Sequence, residues 1–425
     1  MHAPILPRHN RVLSEHELSV AGAICREVAQ SVADRDRYIA AHGIDRAFAL
    51  PDANWSYEAP NEFVQLFLRV AECDAKTISH LRIFSQVFTG FSLYKACDAY
   101  GLETWRLQVS ATLEAEIEAA LAARNPQYVD YWKSLTTGLP GRYLLKPPSM
   151  LGECGHEVDG VIVNHDTCAY QERINLIHDS GLGAWLDSKL MRSGDVRICE
   201  IGAGYGALAY WFRSAFPNCS YTIVDLPESL LFSRLYLSLT RPDVATSFGL
   251  ALASRATRFV PNYMAGQLDE PFDLVINTLS MSEMSAYQVR QYAHLMTTRW
   301  LVDGGLFFEQ NKNGSPVGLL CPADVLASAF PERLNLNPSN AVLQQGIPNV
   351  WSLQPASLES ILTLAGSERT SARKLESIRK NASLKLAGGR VGKAAKVLGY
   401  KLLGQQRAER IRSKLAPIIR RQLRA

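Results

Sequence analysis

The chain has 425 residues, 47% of them hydrophobic and 20% charged, which exceeds one typical domain and leaves ample material for a large core. Its eight cysteines (Cys25, Cys73, Cys97, Cys154, Cys168, Cys199, Cys219 and Cys321) show no C-x-x-C pair and no regular spacing, so neither a zinc module nor a disulfide framework is indicated. The first residues lack the apolar run of a signal peptide and nothing approaches a membrane span, so the expected location is cytoplasmic and the expected metal content none.

Residues 10 to about 135 read as helical. SEHELSVAGAICREVAQSVADRDRYIAAH opens with the capping box Ser14-x-x-Glu17 and keeps small or apolar residues at helical spacing. We expect a helical domain over 1–146 that covers the substrate side of a following core, mediates dimerisation, or acts as a scaffold only. Pro147 and Pro148 mark its end.

Ser149 to Ser180 concentrates glycines, carboxylates and three histidines, and is expected to form a lid over 147–190. Glu153, His156, His165, Asp166 and Gln171 are its candidate acceptor-facing groups, with Gln171 and Glu172 at the start of a helix running to Ile177. His156-Glu157 lacks the H-E-x-x-H spacing that zinc requires.

Ile198 to Gly206, ICEIGAGYG, reads as a strand, a glycine turn and then the helix ALAYWFRSAF. Gly202, Gly204 and Ala207 also satisfy the looser dinucleotide form G-x-G-x-x-G/A, where a helix N-terminus holds a pyrophosphate. Glu200, two residues ahead of the first glycine, argues against that ligand, because a carboxylate repels a diphosphate and suits a cation. The bland alternative is a strand-end charge paired with Arg197. Nineteen residues past Gly206, Asp225 ends the run Tyr221 to Val224, where a carboxylate can accept from both hydroxyls of a ribose. Pro227 then opens a helix.

Phe272 to Ile276 suits a buried parallel strand, with Asn277, Thr278, Ser280 and Glu283 just past its carboxyl end, the edge where open α/β sheets bind ligands. A helix over Ala286 to Trp300, a turn at Asp303 to Gly305 and the run Leu306 to Phe308 lead to a second polar tip, Glu309, Gln310 and Asn311.

The residues Glu200-Ile-Gly-Ala-Gly-Tyr-Gly206, Asp225-Leu-Pro227, Ile276 to Met284, and the stretch from Leu151-Gly-Glu153 to Tyr170-Gln-Glu172 together resemble the class I S-adenosylmethionine (SAM)-dependent methyltransferases. Among these they resemble a bacterial family of sugar O-methyltransferases. The resemblance covers roughly Pro147 to Asn311. It implies an α/β fold, a Rossmann-like class I methyltransferase sheet with helices on both faces over 147–368, preceded by the helical domain and followed by a basic helical tail. It further implies SAM as cofactor, held by Glu200, Gly202, Ala203, Gly204, Tyr205, Gly206, Asp225 and Leu226, and methyl transfer to a hydroxyl of a sugar or glycan.

Such a transfer needs a group to accept the hydroxyl's proton. Glu283 is the first candidate, because it follows the strand by a few residues and would overhang the cofactor; His156 and His165 are next. A helix-dipole role is the alternative for Glu283. Asn277 is a candidate for the cofactor's methionine moiety or the sugar, and Ser280 and Asn311 for the acceptor.

Ala341 to Gln354 reads as a strand or hairpin, and ASLESILTLAG as a short helix. From residue 369 to 425, 17 Lys and Arg stand against Glu376 and Glu409, a charge of +15 that leaves −11 on residues 1–368 behind a total of +4. A partial apolar stripe (Val391, Ala394, Leu398, Leu402) among these cations suits an anionic membrane surface, the acidic body of the same or another subunit, or a protein partner. Without aromatic interleaving, nucleic acid is disfavoured. Two other function classes fit the chain less well: an NAD-type oxidoreductase, for which Glu200 is the wrong charge, and a noncatalytic SAM-binding adaptor.

Overall fold

The computed structural model describes residues 3–51, 67–68, 70–89, 113–251, 255–312, 320–336 and 346–365. The basic tail expected over 369–425, and part of the expected N-terminal helical stretch, lie outside these residues.

In chain order the elements before the core are β1 (Pro4–Ile5), α1 (Glu15–Ala41), α2 (Arg46–Ala49), α3 (Ala75–Ser79), α4 (Leu81–Thr89) and α5 (Leu113–Thr136). The capping box read at Ser14 is formed: Glu17 N–H donates to Ser14 Oγ at 3.3 Å, and Ser14 N–H to Glu17 Oε2 at 2.8 Å. The segment expected to form a lid contains the hairpin β2 (Gly155–Val158) and β3 (Val161–Val163), followed by α6 (His165–Asp179) and α7 (Leu182–Ser193). β1 completes a small antiparallel sheet in the order β1-β2-β3. Helix α6 starts six residues before Gln171, because Asn164 caps it by accepting from Thr167 N–H at 2.8 Å. Most of α6 is buried, so this segment is part of the packed body.

The core runs β4 (Val196–Ile201), α8 (Ala207–Ala215), β5 (Cys219–Asp225), α9 (Pro227–Thr240), β6 (Thr246–Phe248), β7 (Thr257–Pro261), β8 (Phe272–Thr278), α10 (Ala286–Leu295), β9 (Leu301–Asn311), α11 (Pro322–Leu326), β10 (Glu332–Asn335) and β11 (Ile347–Ser352), with a helix at 355–365. The sheet order is β10-β11-β9-β8-β4-β5-β7-β6, parallel from β9 to β6, with β11 antiparallel between β9 and β10. It is a Rossmann-like α/β sheet. The chain lays β5 and β7 on one side of β4 and then returns to lay β8 and β9 on the other. The order therefore reverses between β4 and β8, the switch point at whose carboxyl edge a crevice forms.

The strands of this sheet are apolar on both faces. Ile198, Ile223, Ile276 and Phe308 pack with α1, α6, α7, α8 and α9 on one face. Cys199, Val224, Val275 and Phe307 pack with α2, α10 and α11 on the other. Helix α1 lies along α9, where Arg35 donates to Glu228 Oε1 at 2.9 Å with both side chains buried. The same apolar cluster holds residues of α1, α4 and β4. The turn expected at Asp303 to Gly305 is a bulge inside β9: Phe272 pairs with Leu301, but Leu274 pairs with Leu306. Among the described residues no helix is long and apolar enough to cross a membrane.

Candidate functional site

The glycine corner joins β4 to α8 through Gly202, Gly204 and Gly206, whose φ values are +72°, +60° and +91°. Gly202 has a second reason to lack a side chain, since a Cβ there would lie 2.1 Å from Ser280 Oγ. The corner is thus pressed against the turn Ser280–Glu283 that follows β8. Asn277 staples the two strand ends, donating from Nδ2 to Ile201 O at 2.8 Å and to Ser280 Oγ at 2.6 Å. Its Oδ1 accepts from Asn311 Nδ2 at 2.9 Å. Asn311 also donates to Glu309 Oε2 at 2.8 Å and accepts from Ser282 N–H at 3.3 Å. Asn349 Nδ2 holds the other oxygen of Glu309 at 2.7 Å, and burial raises the pKa of that carboxyl.

Asn277, Ser280 and Asn311, expected to meet ligands, therefore brace the turn that carries Glu283. Glu283 itself is half-buried on that turn, beyond the Ser285 cap of α10, so it is not a first-turn carboxylate of that helix.

Glu200 is 1% exposed and accepts from Tyr221 Oη at 2.8 Å; it does not pair with Arg197. Burial, chiefly, pushes its pKa up to about 7; the Tyr221 hydrogen bond and the charge of Arg173 oppose this, and Asp225 adds to it. Asp225, partly open at the end of β5, is also pushed up to about 7 by burial. Against that rise it accepts from Leu226 N–H at 2.8 Å, and the nearby N–H groups of Ala203 and Gly204 and the Ser229 side chain also favour its charged form. Neither carboxylate forms an ion pair with a described residue.

Ala203 and Tyr205, expected at the cofactor, are 2% and 1% exposed and face the core. Tyr205 lies edge-on to Tyr170 and Tyr236 at ring separations of 5.5 and 5.0 Å. The guanidinium of Arg82, from α4, sits 3.5 Å over its ring. Arg82 is fully buried and holds two of the carboxylates expected to face an acceptor: Nε donates to Glu153 Oε2 at 2.7 Å and Nη2 to Asp166 Oδ2 at 3.2 Å. Asn164 satisfies the second oxygen of Glu153 at 2.6 Å. Gln171 is likewise engaged, donating to Tyr143 O at 2.7 Å and Asn175 Oδ1 at 2.9 Å while accepting from Leu145 N–H at 2.9 Å. Glu153, Asp166 and Gln171, expected to face an acceptor, thus each have partners inside the protein, as a buried charge or amide requires. His156 is buried on β2 opposite Pro4 and Val163, and His165 opens α6 with its ring edge-on to Tyr128 at 5.9 Å.

Arg82, Tyr221 and Arg173 were not singled out by the sequence. A lone arginine in the apolar run LRIFSQVF was the available signal for Arg82; it has no local counter-charge at helical spacing and so demands a distant one.

No protein-family model and no curated protein matches this sequence. Solved structures similar to it include a 16S rRNA N2 methyltransferase of T. thermophilus in complex with AdoMet and guanosine (15% identity, 43% of this chain and 42% of that one, TM-score 0.29). The N-methyltransferase NodS of Bradyrhizobium japonicum in complex with S-adenosyl-L-homocysteine is similar at 15% identity over 53% of this chain and 96% of that one, with a TM-score of 0.30. A SAM-bound amino pentose methyltransferase of Micromonospora echinaspora is similar at 20% identity over 36% of this chain and 59% of that one, with a TM-score of 0.24. The chain spans less than half the length of the rRNA enzyme.

Proposed function

We propose that the protein is a SAM-dependent O-methyltransferase whose acceptor is a hydroxyl of a sugar or glycan, as in the making of surface polysaccharide. One observation carries the choice of cofactor. Asp225 lies close to the N–H groups of Ala203 and Gly204, which a dinucleotide fold would aim at a pyrophosphate, and Glu200, buried at the end of the neighbouring strand, forms no ion pair with a described residue. A carboxylate at the end of the strand before the glycine corner suits a cationic nucleoside and repels a diphosphate, while Asp225 fits the ribose of either cofactor. The residues fit SAM on that ground.

In this reading Asp225 accepts from the ribose hydroxyls and Glu200 supplies the negative charge for the amino-acid end. The cofactor supplies an electrophilic methyl group, and the acceptor oxygen must be held in line with it and away from water. Glu283 takes the proton of the acceptor hydroxyl on its carboxylate. It is favoured over His156 and His165 because its turn abuts Gly202, whereas both histidines are buried in the layer of β2 and α6. The sugar class rests on the sequence resemblance.

Calorimetric titration with SAM and with NAD(H) tests the cofactor. Saturable SAM binding that Gly204→Val abolishes is expected, and binding of NAD(H) instead would reverse the assignment. For the base, Glu283→Gln is expected to lower kcat about 100-fold or more with SAM affinity within about twofold; a fully active variant removes Glu283 from the reaction.

A further inference from the structure

Most polar groups the sequence nominated for the acceptor are spent on the protein itself, and a different side chain at the same sheet edge is not. Gln310 is 2% exposed, and its Oε1 has no hydrogen-bond partner among the described residues. A buried amide carbonyl without a donor is destabilising, and native proteins keep one chiefly where a ligand or an ordered water completes it.

The register says which way it faces. Glu200, Ile276 and Phe308 lie abreast on β4, β8 and β9, and Thr278 pairs with Gln310 two residues further toward the carboxyl edge. Side chains alternate along a strand, so Gln310 shares the face of Glu200, while Glu309 and Asn311 project to the opposite face and into the Asn277 network. Two strands and one side-chain row separate Gln310 from Glu200, roughly 12 Å between Cα atoms by ordinary strand spacing. That places Gln310 on the β8 and β9 side of the switch point, across from Asp225. The backbone ties it to the proposed base as well: Gln310 O accepts from Leu279 N–H at 2.9 Å, and Leu279, a non-glycine at φ +69°, starts the turn that ends in Glu283.

We infer that Gln310 is an acceptor-recognition residue, its side-chain carbonyl receiving a hydrogen bond from an O–H or N–H of the acceptor beside the hydroxyl that is methylated. This rests on the methyltransferase reading above and narrows it. An amide oxygen welcomes a donor and repels a phosphate or carboxylate oxygen, so the acceptor carries a second free donor close to the reacting hydroxyl, as a polyol such as a sugar does.

The test uses the full-length protein and Gln310→Met, which keeps the length of the side chain and removes the carbonyl. Three readouts are taken: melting temperature without ligand, affinity for S-adenosylhomocysteine, and methyl transfer from labelled SAM to a panel of methyl pyranosides. The expected results are a melting temperature raised by about 1–3 °C, cofactor-product affinity within about twofold, and kcat/KM at least about tenfold lower on the pyranoside that the wild type uses best. A lowered melting temperature would make the amide a structural brace, and a tenfold loss of S-adenosylhomocysteine affinity would assign it to the cofactor; either overturns the inference. Wild-type protein that binds S-adenosylhomocysteine yet methylates no pyranoside overturns the polyol class. If the wild type binds no S-adenosylhomocysteine, the cofactor reading fails, and the melting temperature alone decides whether Gln310 is held in wait for a ligand.

Discussion

Two pairs of carboxylates, three of the four side chains buried and Asp225 partly open, sit in opposite environments. Glu153 and Asp166 share the guanidinium of Arg82 and are matched by it. Glu200 and Asp225 form no ion pair with a described residue, accepting from the Tyr221 phenol and the Leu226 N–H, and burial lifts both to about 7, against the charge of Arg173 at Glu200. Carboxylates held by a guanidinium serve the fold, whereas carboxylates without an ion pair are open to a cationic ligand.

The strongest way to break this contrast is Arg82→Met. It strands two carboxylates in the core, and an unfolding free energy lower by about 3–5 kcal/mol is expected in urea denaturation. Adding Glu153→Gln and Asp166→Asn to the same chain should recover much of that loss, since neutral amides need no counter-charge; failure to recover would show that the Arg82–Tyr205 stack carries the effect.

Glu200→Gln should act in the reverse sense. At pH 8 the free variant is expected to be as stable as the wild type or more so, because it no longer ionises a buried group, while SAM affinity falls about tenfold or more. A variant that is destabilised but binds SAM normally would place Glu200 with the structural pair.

The smallest effect is that of pH. Both raised carboxyls hold their protons more tightly in the folded state than in the unfolded chain, so their stabilising contribution is complete below about pH 4 and is lost as pH rises through about 7. Melting of the free protein should therefore weaken from pH 5 to pH 8 on account of these groups. A cationic ligand requires the charged forms, so SAM affinity should move the other way, several-fold weaker at pH 6 than at pH 8, with proton release on binding near pH 7. Calorimetry in buffers of different ionisation enthalpy reads that release, and its absence would mean that the two groups are already ionised.

Much of the parallel sheet was legible because its signals are local. Ile198 to Gly206, Tyr221 to Asp225 and Phe272 to Ile276 each carry a strand and its polar end within a few residues, and Ser14 and Pro227 announce their helices in the same way. Strand β7 escaped, being a short run paired with β5 well back along the chain, and the hairpin β2 and β3 escaped because strands of four and three residues are too short to show an alternation. The site was half legible. The residue types at the corner point to a cation, but a carboxylate in a glycine-rich stretch looks the same whether it meets a ligand or an arginine.

By itself, then, the sequence determined the order of strand, corner and helix and the spacing of Glu200, Gly202 and Asp225, since these follow from backbone preferences over a few residues. Only the tertiary structure decided which carboxylates are matched, because Arg82 reaches Glu153 and Asp166 across 71 and 84 residues of chain. It also decided that Gln310, rather than its neighbour Asn311, shares a face with Glu200. That choice depends on strand register, where a step of one residue turns a side chain from one face of the sheet to the other.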